Sequence, residues 1–339
     1  MKSTGGTLVV GPAWVGDMVM AQSLFKTLKE QEPDRPIDVV APAWSLPLLH
    51  RMPEVRDGIE LGAGHGELKL LARFRLGRSL QKRKYKKAVV LPRSLKSAIV
   101  PWAAKIPRRV GYRGEMRFGL INDMRALDKS VLTQTVQRFV ALGCETNEPL
   151  PPEVRYPHLT VNNANRDRLV KALGLSLKQP VVALLPGAEY GPAKQWPIEY
   201  FVTLARALGR LGARSWILGS HKERSLGEAI VKECGDSTCN LCGETRLVDV
   251  VDLLSIAAVS VNNESGLMHV AAAVSLPTIA IYGSSSPAYT PPLSSNAEVL
   301  YLGLECSPCF ERTCRLGHSN CLKNISPEQV LSHVQPYIK

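Results

Sequence analysis

The sequence predicts an α/β protein with two similar domains, each built on a parallel sheet. Short apolar runs alternate with longer stretches of helical periodicity, which is the pattern of consecutive βαβ units. A proline-rich passage at residues 149–157 interrupts this alternation, and the pattern restarts after it. The 339 residues are also enough for about two ordinary domains. We therefore predict domains over residues 1–158 and 159–339, which face each other across a cleft.

In the first domain the apolar runs predict four strands, at Thr7–Val10, Ile37–Ala41, Ala88–Leu91 and Val110–Tyr112. Helical periodicity predicts helices over about residues 17–31 and 133–142.

In the second domain the predicted strands are Val181–Leu185, Ser215–Leu218, Ala258–Val261 and Thr278–Tyr282. Helices are predicted to begin near Pro197, Lys222, Leu247 and Ser265. Proline suits a first helical turn because the N–H that it lacks would have no partner there. A last helix is predicted over about residues 327–337, with Ser326 as its N-cap.

The net charge of +12 is concentrated in the first half of the chain. Residues 1–158 carry +11 and residues 159–339 carry +1. Nine basic and no acidic residues lie between Lys69 and Lys87, and further basic residues follow up to Arg117. This asymmetry favours an anionic partner, which could be nucleic acid, anionic lipid or a phosphorylated substrate. The alternative is a basic face that only contacts solvent.

Eight cysteines are too few for a disulfide scaffold in a chain of this length. No apolar run is long enough for a membrane span and no secretory signal is evident, so we expect a cytoplasmic protein with reduced thiols. Four of the cysteines, Cys306, Cys309, Cys314 and Cys321, are close enough in sequence for a closed structural zinc site. The alternatives are reduced loop cysteines or a redox-sensitive pair.

Three segments follow predicted strands, which is where parallel sheets bind their ligands. The first is residues 11–17, in which Gly16 permits close approach of the backbone and Asp17 begins the predicted helix. Asp17 is either a general base or a charge that only favours the helix dipole. The spacing of this segment matches neither the dinucleotide fingerprint nor the phosphate loop.

The second segment, residues 186–197, is a loop rich in glycine and proline that contains Gly187 and ends near Lys194. Lys194 is either a phosphate ligand or a solvated loop lysine. In the third segment, Ser265 and Gly266 begin a helix whose amides suit a pyrophosphate, and Glu264 can accept hydrogen bonds from hydroxyl groups. His269 lies one turn further on, as either a core residue or a phosphate donor.

Taken together, these motifs resemble glycosyltransferase family 9. The resemblance rests on Gly-Pro-x-Trp-x-Gly-Asp at residues 11–17, Pro-Gly-Ala-Glu-x-Gly-Pro-Ala-Lys-x-Trp-Pro at residues 186–197, and Ser-Gly-Leu-Met-His-Val-Ala-Ala-Ala at residues 265–273. Tyr-Gly-Ser-Ser-Ser-Pro at residues 282–287, Ala-Pro-Ala-Trp at residues 41–44 and Gly-Tyr-Arg-Gly-Glu-Met-Arg at residues 111–117 add to it. It extends over nearly the whole chain.

The resemblance implies a GT-B architecture, with an acceptor-binding first domain and a second domain that binds a nucleotide sugar. It assigns Asp17 as the catalytic base. It implies the following donor-binding residues: Lys194, Glu264, Ser265, Gly266, His269 and Gly187. Glu223, which follows the predicted strand that ends at Leu218, is a further donor-binding candidate, for contact with the ribose. The motifs and basic residues of the first domain give the following acceptor-binding candidates: Gly16, Trp14, Arg93, Lys96, Arg113 and Arg117. The family normally has Asp where this chain has Glu264, and the longer side chain changes the reach of the carboxylate.

The implied reaction is an inverting transfer of heptose from ADP-heptose to the anionic inner core of lipopolysaccharide, with no catalytic metal or other cofactor. The implied location is the inner face of the inner membrane, through peripheral contact. Nucleic acid is not an expected partner, because the basic runs lack the interleaved aromatic residues of a stacking platform. The alternatives are another family 9 transferase, a nucleotide-sugar epimerase of the same architecture, and a non-catalytic protein that binds anionic surfaces.

Overall fold

The computed structural model describes residues 5–62 and 68–339. The chain divides into two compact units, Met1–Pro157 and His158–Lys339. Within the described ranges, no helix is both long and apolar enough to cross a lipid bilayer.

The N-terminal unit contains one parallel sheet of six strands in the order β3-β2-β1-β4-β5-β6. The strands are β1 (Thr7–Val10), β2 (Ile37–Ala41), β3 (Val55–Glu60), β4 (Lys87–Val90), β5 (Arg108–Tyr112) and β6 (Asp123–Arg125). The helices are α1 (Val15–Gln31), α2 (Leu46–Leu49), α3 (Leu70–Leu80), α4 (Ile99–Ala103) and α5 (Thr135–Ala141). The central strands β1, β2 and β4 are buried along their whole length, as expected for a parallel sheet covered by helices.

The C-terminal unit repeats this plan, with the strand order β12-β11-β10-β7-β8-β9. The strands are β7 (Val181–Leu185), β8 (Arg214–Ile217), β9 (Thr238–Asn240), β10 (Val259–Asn263), β11 (Thr278–Ile281) and β12 (Ala297–Leu300). The helices are α6 (Asn163–Ala172), α7 (Ile198–Arg210), α8 (Arg224–Cys234), α9 (Leu247–Leu254), α10 (Gly266–Ala273), α11 (Asn320–Lys323) and α12 (Pro327–Val334). Its core combines strand residues such as Val182 and Val261 with Phe201 of α7 and Val330 of α12.

The structure confirms the α/β class and all eight predicted strands, whose ends differ from the prediction by at most two residues. The four strands that the sequence did not predict are β3, β6, β9 and β12, which are the edge strands of the two sheets. These strands are short or only partly buried, and they carry charged or polar residues. Edge strands lack the continuous apolar run that identifies a central parallel strand.

The predicted helix starts differ from the observed ones by at most two residues. Helix α1 begins at Val15, two residues before the predicted start, and Pro197 is the N-cap of α7 rather than part of its first turn. Lys222 lies in a single 3₁₀ turn, and α8 begins after it at Arg224. The start of α9 at Leu247 is confirmed. Ser326 also caps α12 as predicted, because its side chain accepts a hydrogen bond from the backbone N–H of Gln329.

Candidate active site

The first group of candidate residues lies where β1 leads into α1. Trp14 is the N-cap of α1, and Asp17 belongs to its first turn. Because the helix begins at Val15, Gly16 lies inside the helix and is buried, rather than in the turn before it. Asp17 is half-buried, and its carboxylate lies at the positive end of the helix dipole. This placement is compatible with both of the roles predicted for Asp17.

Trp44 is a further candidate site residue, which was not predicted from the sequence. It lies in the 3₁₀ turn after β2, and its indole Nε1 donates a hydrogen bond to the carbonyl oxygen of Ala13 at 3.0 Å. Trp14 and Trp44 are each 42% exposed, although large aromatic side chains are usually more buried. The Ala-Pro-Ala-Trp segment directly after a buried strand could have indicated Trp44 as a site residue. Two accessible aromatic side chains therefore lie at the same edge of the sheet as Asp17.

The basic candidates Arg93, Lys96 and Arg113 follow the next two strands, β4 and β5. Arg93 and Arg113 are exposed, and Lys96 is half-buried. The Arg93 Nε donates to the carbonyl oxygen of Arg113 at 3.1 Å, which joins the two loops. Carboxyl ends of neighbouring parallel strands meet at one sheet edge, so these cations share an edge with Asp17. The arrangement suits an anionic ligand.

Arg117 does not lie on this surface, and its predicted place there was wrong. Its side chain is fully buried. One guanidinium nitrogen donates to the carbonyl oxygen of Pro92 at 2.7 Å, and the other donates to the carbonyl oxygen of Tyr112. Burial lowers the pKa of Arg117. This side chain holds the loop that presents Arg113, so it acts on the fold rather than on a ligand.

The main polar cluster of the C-terminal unit is centred on Glu264, which directly follows β10. Its carboxylate forms an ion pair with Lys194, which ends a 3₁₀ turn in the loop after β7. Ser285 donates to it at 2.8 Å and Thr290 at 3.1 Å. Glu264 and Lys194 are both largely removed from solvent. Two residues that are 70 positions apart in the sequence are therefore fixed against each other at the carboxyl edge of the second sheet.

The buried side chain of Asn263 fixes the loop that carries Lys194. Its Oδ1 accepts a hydrogen bond from the backbone N–H of Trp196 at 2.9 Å, and its Nδ2 donates to the carbonyl oxygen of Pro186 at 2.6 Å. Both ends of the loop are thus tied to the last residue of β10. Asn263 was not predicted as a site residue, although an asparagine at the end of a buried strand could have indicated it.

Helix α10 begins beside this cluster. Ser265 is its N-cap, but the Ser265 side chain makes no capping hydrogen bond, and Gly266 is the first helical residue. The N–H groups of a first helical turn have no partner within the helix and can bind an anion. His269 is buried in the second turn. Burial lowers the pKa of His269 to about 4, against a smaller opposing effect of the Glu264 carboxylate, so the imidazole is neutral near pH 7.

Gly187 and Glu223 lie against each other after β7 and β8. A Cβ at Gly187 would come within 2.8 Å of the Glu223 Cγ, so a larger residue there would displace the Glu223 side chain. The Glu223 Oε2 accepts hydrogen bonds from the backbone N–H of Ser220 at 2.7 Å and from its hydroxyl at 2.6 Å. Glu223 therefore has a structural role at a 3₁₀ turn, whatever else its carboxylate binds.

The four C-terminal cysteines line a single cavity of about 90 Å³, together with His318 and Ser319. All four are free thiols. Backbone N–H groups of Ser319, Leu316 and Gly317 lower the pKa of Cys314. In this conformation, however, no three His, Cys, Asp or Glu side chains of residues 5–62 and 68–339 lie close enough to hold a metal ion. A structural zinc stays a prediction, which metal analysis of protein purified without chelator would test.

Two parallel α/β units, one of which has a cation and a helix start at the ligand-binding edge of its sheet, are typical of proteins with the GT-B fold. The family model "Glycosyltransferase family 9 (heptosyltransferase)" matches residues 73–320. The chain belongs to this family.

Relatives of known name cover almost the whole chain. Lipopolysaccharide heptosyltransferase 2 of Salmonella typhimurium is 43% identical over 336 residues, which are 96% of this chain and 97% of the relative. Lipooligosaccharide heptosyltransferase 2 of Haemophilus influenzae is 45% identical over 308 residues, 87% of this chain and 88% of the relative. The solved structure of E. coli ADP-heptose LPS heptosyltransferase II is 40% identical and has a TM-score of 0.87, with 98% of both chains covered.

Proposed function

We propose that this protein transfers heptose from ADP-heptose to the first heptose of the lipopolysaccharide inner core. The observation that carries the proposal is the convergence of Lys194, Glu264 and the start of α10 at one sheet edge. The names of relatives that are 43–45% identical specify heptosyl transfer and lipopolysaccharide or lipooligosaccharide, which supports the same sugar and acceptor. The E. coli structure, which is 40% identical, is named for ADP-heptose, which supports the same donor. Membership of a transferase family favours this activity over an epimerase or a non-catalytic binding protein.

In this proposal the C-terminal unit holds the donor. The diphosphate interacts with the first amides of α10 and with the Lys194 ammonium group. Both are positive and are fixed in advance, so they stabilise the negative charge that develops on the departing ADP. Because these groups can supply the stabilisation that a divalent ion supplies in other enzymes, we propose a transfer that requires no metal.

Glu264 has two tasks in the proposed site. Its ion pair keeps Lys194 in position, and its hydrogen bonds from Ser285 and Thr290 fix the carboxylate itself. A carboxylate fixed beside the diphosphate site can also accept hydrogen bonds from the hydroxyl groups of the donor sugar. Neutral His269 can contribute an N–H donor but no positive charge near pH 7.

We propose that Asp17 is the general base. Its carboxylate takes the proton from the attacking acceptor hydroxyl while the new bond to the anomeric carbon forms and the bond to ADP breaks. A single displacement of this kind inverts the anomeric configuration, by analogy with inverting glycosidases. Arg93, Lys96 and Arg113 lie at the same sheet edge and attract the anionic acceptor to Asp17.

The proposed place of action is the inner face of the inner membrane, where a lipid-borne acceptor is held. The N-terminal half, with a net charge of +11, is the half that anionic lipid would attract.

The proposal is tested by measuring ADP release from ADP-heptose with and without an inner-core acceptor that carries one heptose. We expect release that depends on the acceptor, together with a product that carries a second heptose. Isomerisation of ADP-heptose in the absence of acceptor would identify an epimerase instead. Binding to anionic surfaces without any ADP release would identify a non-catalytic protein.

A further inference from the structure

Helix α3 presents an unusual face to solvent. Leu71, Phe74, Arg75 and Arg78 are all exposed, and their spacing of three, four and seven residues places them on one side of the helix. Leu71 is 71% exposed and Phe74 is 39% exposed. An amphipathic helix normally turns such apolar residues toward the core. The outer face of α3 is thus apolar and basic at the same time.

The inner, buried face of α3 packs closely on α4. A Cβ at Gly77 would come within 2.5 Å of the Val100 carbonyl oxygen, so glycine lets the two helices approach. Leu80 completes the buried side. This close packing brings Trp102 of α4 next to Phe74, with 6.2 Å between the ring centroids. Trp102 is itself 45% exposed, so the apolar surface continues from one helix to the next.

Five exposed apolar residues of the N-terminal unit lie on or next to these two helices. We call Leu68, Leu70, Leu71, Phe74 and Trp102 the α3–α4 apolar patch. Exposed hydrophobic residues on a monomeric protein are usually scattered, and a contiguous set marks an interaction site. Exposed Arg75, Arg78 and Lys82 lie beside the patch, within a stretch of 19 residues that contains nine basic and no acidic residues.

We propose that the α3–α4 apolar patch and its neighbouring cations dock on the surface of an anionic lipid bilayer. Apolar and aromatic side chains enter the interface between headgroups and acyl chains, while arginine and lysine bind the headgroup phosphates. Trp102 and Phe74 suit this depth, because large aromatic side chains concentrate at membrane–water interfaces. The inference rests on the proposed function, since a lipid-borne acceptor requires the enzyme to work at a membrane.

Two other occupants fit the surface less well. A second copy of the chain would bring the cations of two identical patches together, which is unfavourable without intervening anions. A polynucleotide would use the cations but would leave the aliphatic Leu70 and Leu71 in water. An anionic bilayer satisfies both the charge and the apolar area.

The experiment measures sedimentation of the full chain with vesicles of phosphatidylcholine, with and without phosphatidylglycerol. One variant combines Leu71→Ser with Phe74→Ser, and another combines Arg75→Glu with Arg78→Glu. The matched control combines Arg210→Glu with Leu211→Ser, an exposed arginine and leucine at the end of α7 in the C-terminal unit. We expect binding only to the phosphatidylglycerol vesicles, a loss of at least about tenfold in both patch variants, and no change in the control.

A failure to fold is unexpected because the replaced side chains are exposed, and the single variant Leu71→Ser provides a milder version of the test. Equal binding of wild type and patch variants, or no binding by wild type, would overturn the proposal. The proposal would also be overturned if the wild type formed a dimer and the variant with Leu71→Ser and Phe74→Ser were a monomer, because a second copy would then cover the patch.

ADP release with a deacylated, soluble acceptor separates this proposal from the proposed function. If only docking fails, this activity remains while binding to vesicles is absent. If only the proposed function fails, the protein binds vesicles but releases no ADP. We expect patch variants that keep full activity on the soluble acceptor and lose activity on an acceptor embedded in vesicles.

Discussion

At the scale of single residues, the position of Asp17 suits the general base that we propose. Asp17 is half-buried, and the first turn of α1 fixes its backbone. Replacing it by asparagine keeps the size of the side chain but removes the carboxylate that accepts the proton. We expect Asp17→Asn to lower kcat by about 10²- to 10⁴-fold, the usual contribution of a general base. Titration with ADP should give the same affinity as wild type.

The control for this prediction is Asp34→Asn, which changes an exposed carboxylate after α1. It should leave both kcat and ADP affinity unchanged. If Asp17→Asn kept wild-type turnover, Asp17 would have only the structural role of favouring the helix dipole.

The ion pair of Lys194 and Glu264 leads to a second prediction, in which stability and ADP affinity respond differently to substitution. Lys194→Met leaves the Glu264 carboxylate buried without its cation, which typically costs about 3 to 5 kcal/mol of stability. Adding Glu264→Gln removes the uncompensated charge, so the double variant should recover most of the free energy of unfolding. It should not recover ADP affinity, because the phosphate ligand is still missing.

Urea unfolding and ADP titration of both single variants and the double variant measure these two quantities. Recovery of ADP affinity in the double variant would show that Lys194 acts only as the partner of Glu264.

The lowered pKa of buried His269 predicts that the stability of the protein depends on pH. This pKa is about 4 in the folded protein, against an ordinary value of 6.5. Between these values the unfolded chain binds more protons than the folded one, so the free energy of unfolding decreases as the pH falls through this window. His269→Asn should make this decrease smaller. Urea unfolding at about pH 7 and about pH 5 compares the two proteins, and equal decreases would contradict the assignment.

The sequence could predict residues whose chemistry is carried by a motif, but not residues whose role depends on a distant partner. Lys194 and Glu264 were both named from their segments, yet their ion pair joins two loops that no local pattern connects. Arg117 shows the opposite case. Its basic motif indicated a surface, whereas the carbonyl groups of Pro92 and Tyr112 draw its guanidinium into the interior.

At the scale of elements, central and edge strands differ in how much the sequence reveals. The central strands of both sheets contain apolar residues that are buried, as in Thr-Leu-Val-Val of β1 and Val-Val-Ala-Leu-Leu of β7, and all of them were predicted. The edge strands β3 and β12 mix apolar with charged residues, as in Val-Arg-Asp-Gly-Ile-Glu and Ala-Glu-Val-Leu. Their pairing depends on a neighbouring strand that is already in place, so the local sequence alone does not specify them.

The loop that carries Lys194 also packs against the segment of the four cysteines. The backbone N–H of Ala193 donates to the Arg312 carbonyl oxygen at 3.0 Å. Gly191, with a φ of 153°, would place a Cβ within 2.6 Å of the same oxygen. Gly191→Ala should therefore separate the two segments and displace Lys194. We expect a loss of about 1 to 3 kcal/mol in stability and a higher donor KM in steady-state assays.

Gly212→Ala is the matched control, since Gly212 also has a positive φ, of 81°, but a Cβ added there would meet no atom within 4 Å. It should cost stability through backbone strain alone and leave donor KM unchanged. A similar rise in donor KM in both variants would attribute the effect to general destabilisation.

At the scale of the whole molecule, the two units have the same sheet plan but different charge. The N-terminal half carries nearly all of the net positive charge, while the C-terminal half is almost neutral and concentrates its polar chemistry around Glu264. Two units with the same sheet plan but different charge are consistent with the proposal that one unit binds an anionic acceptor and the other binds the nucleotide. The charge asymmetry was visible in the sequence because it needs no knowledge of contacts.

This division predicts that the C-terminal unit binds nucleotide by itself. Residues His158–Lys339 form a compact unit with their own sheet and core, and such units often fold alone. A fragment of these residues should bind ADP with an affinity within about tenfold of the full chain, because the proposed diphosphate ligands all lie in it. Calorimetric titration measures this, with the Lys194→Met fragment as the control. Binding of ADP by a folded fragment of residues Met1–Pro157, and not by the C-terminal fragment, would reverse the proposed roles of the two units.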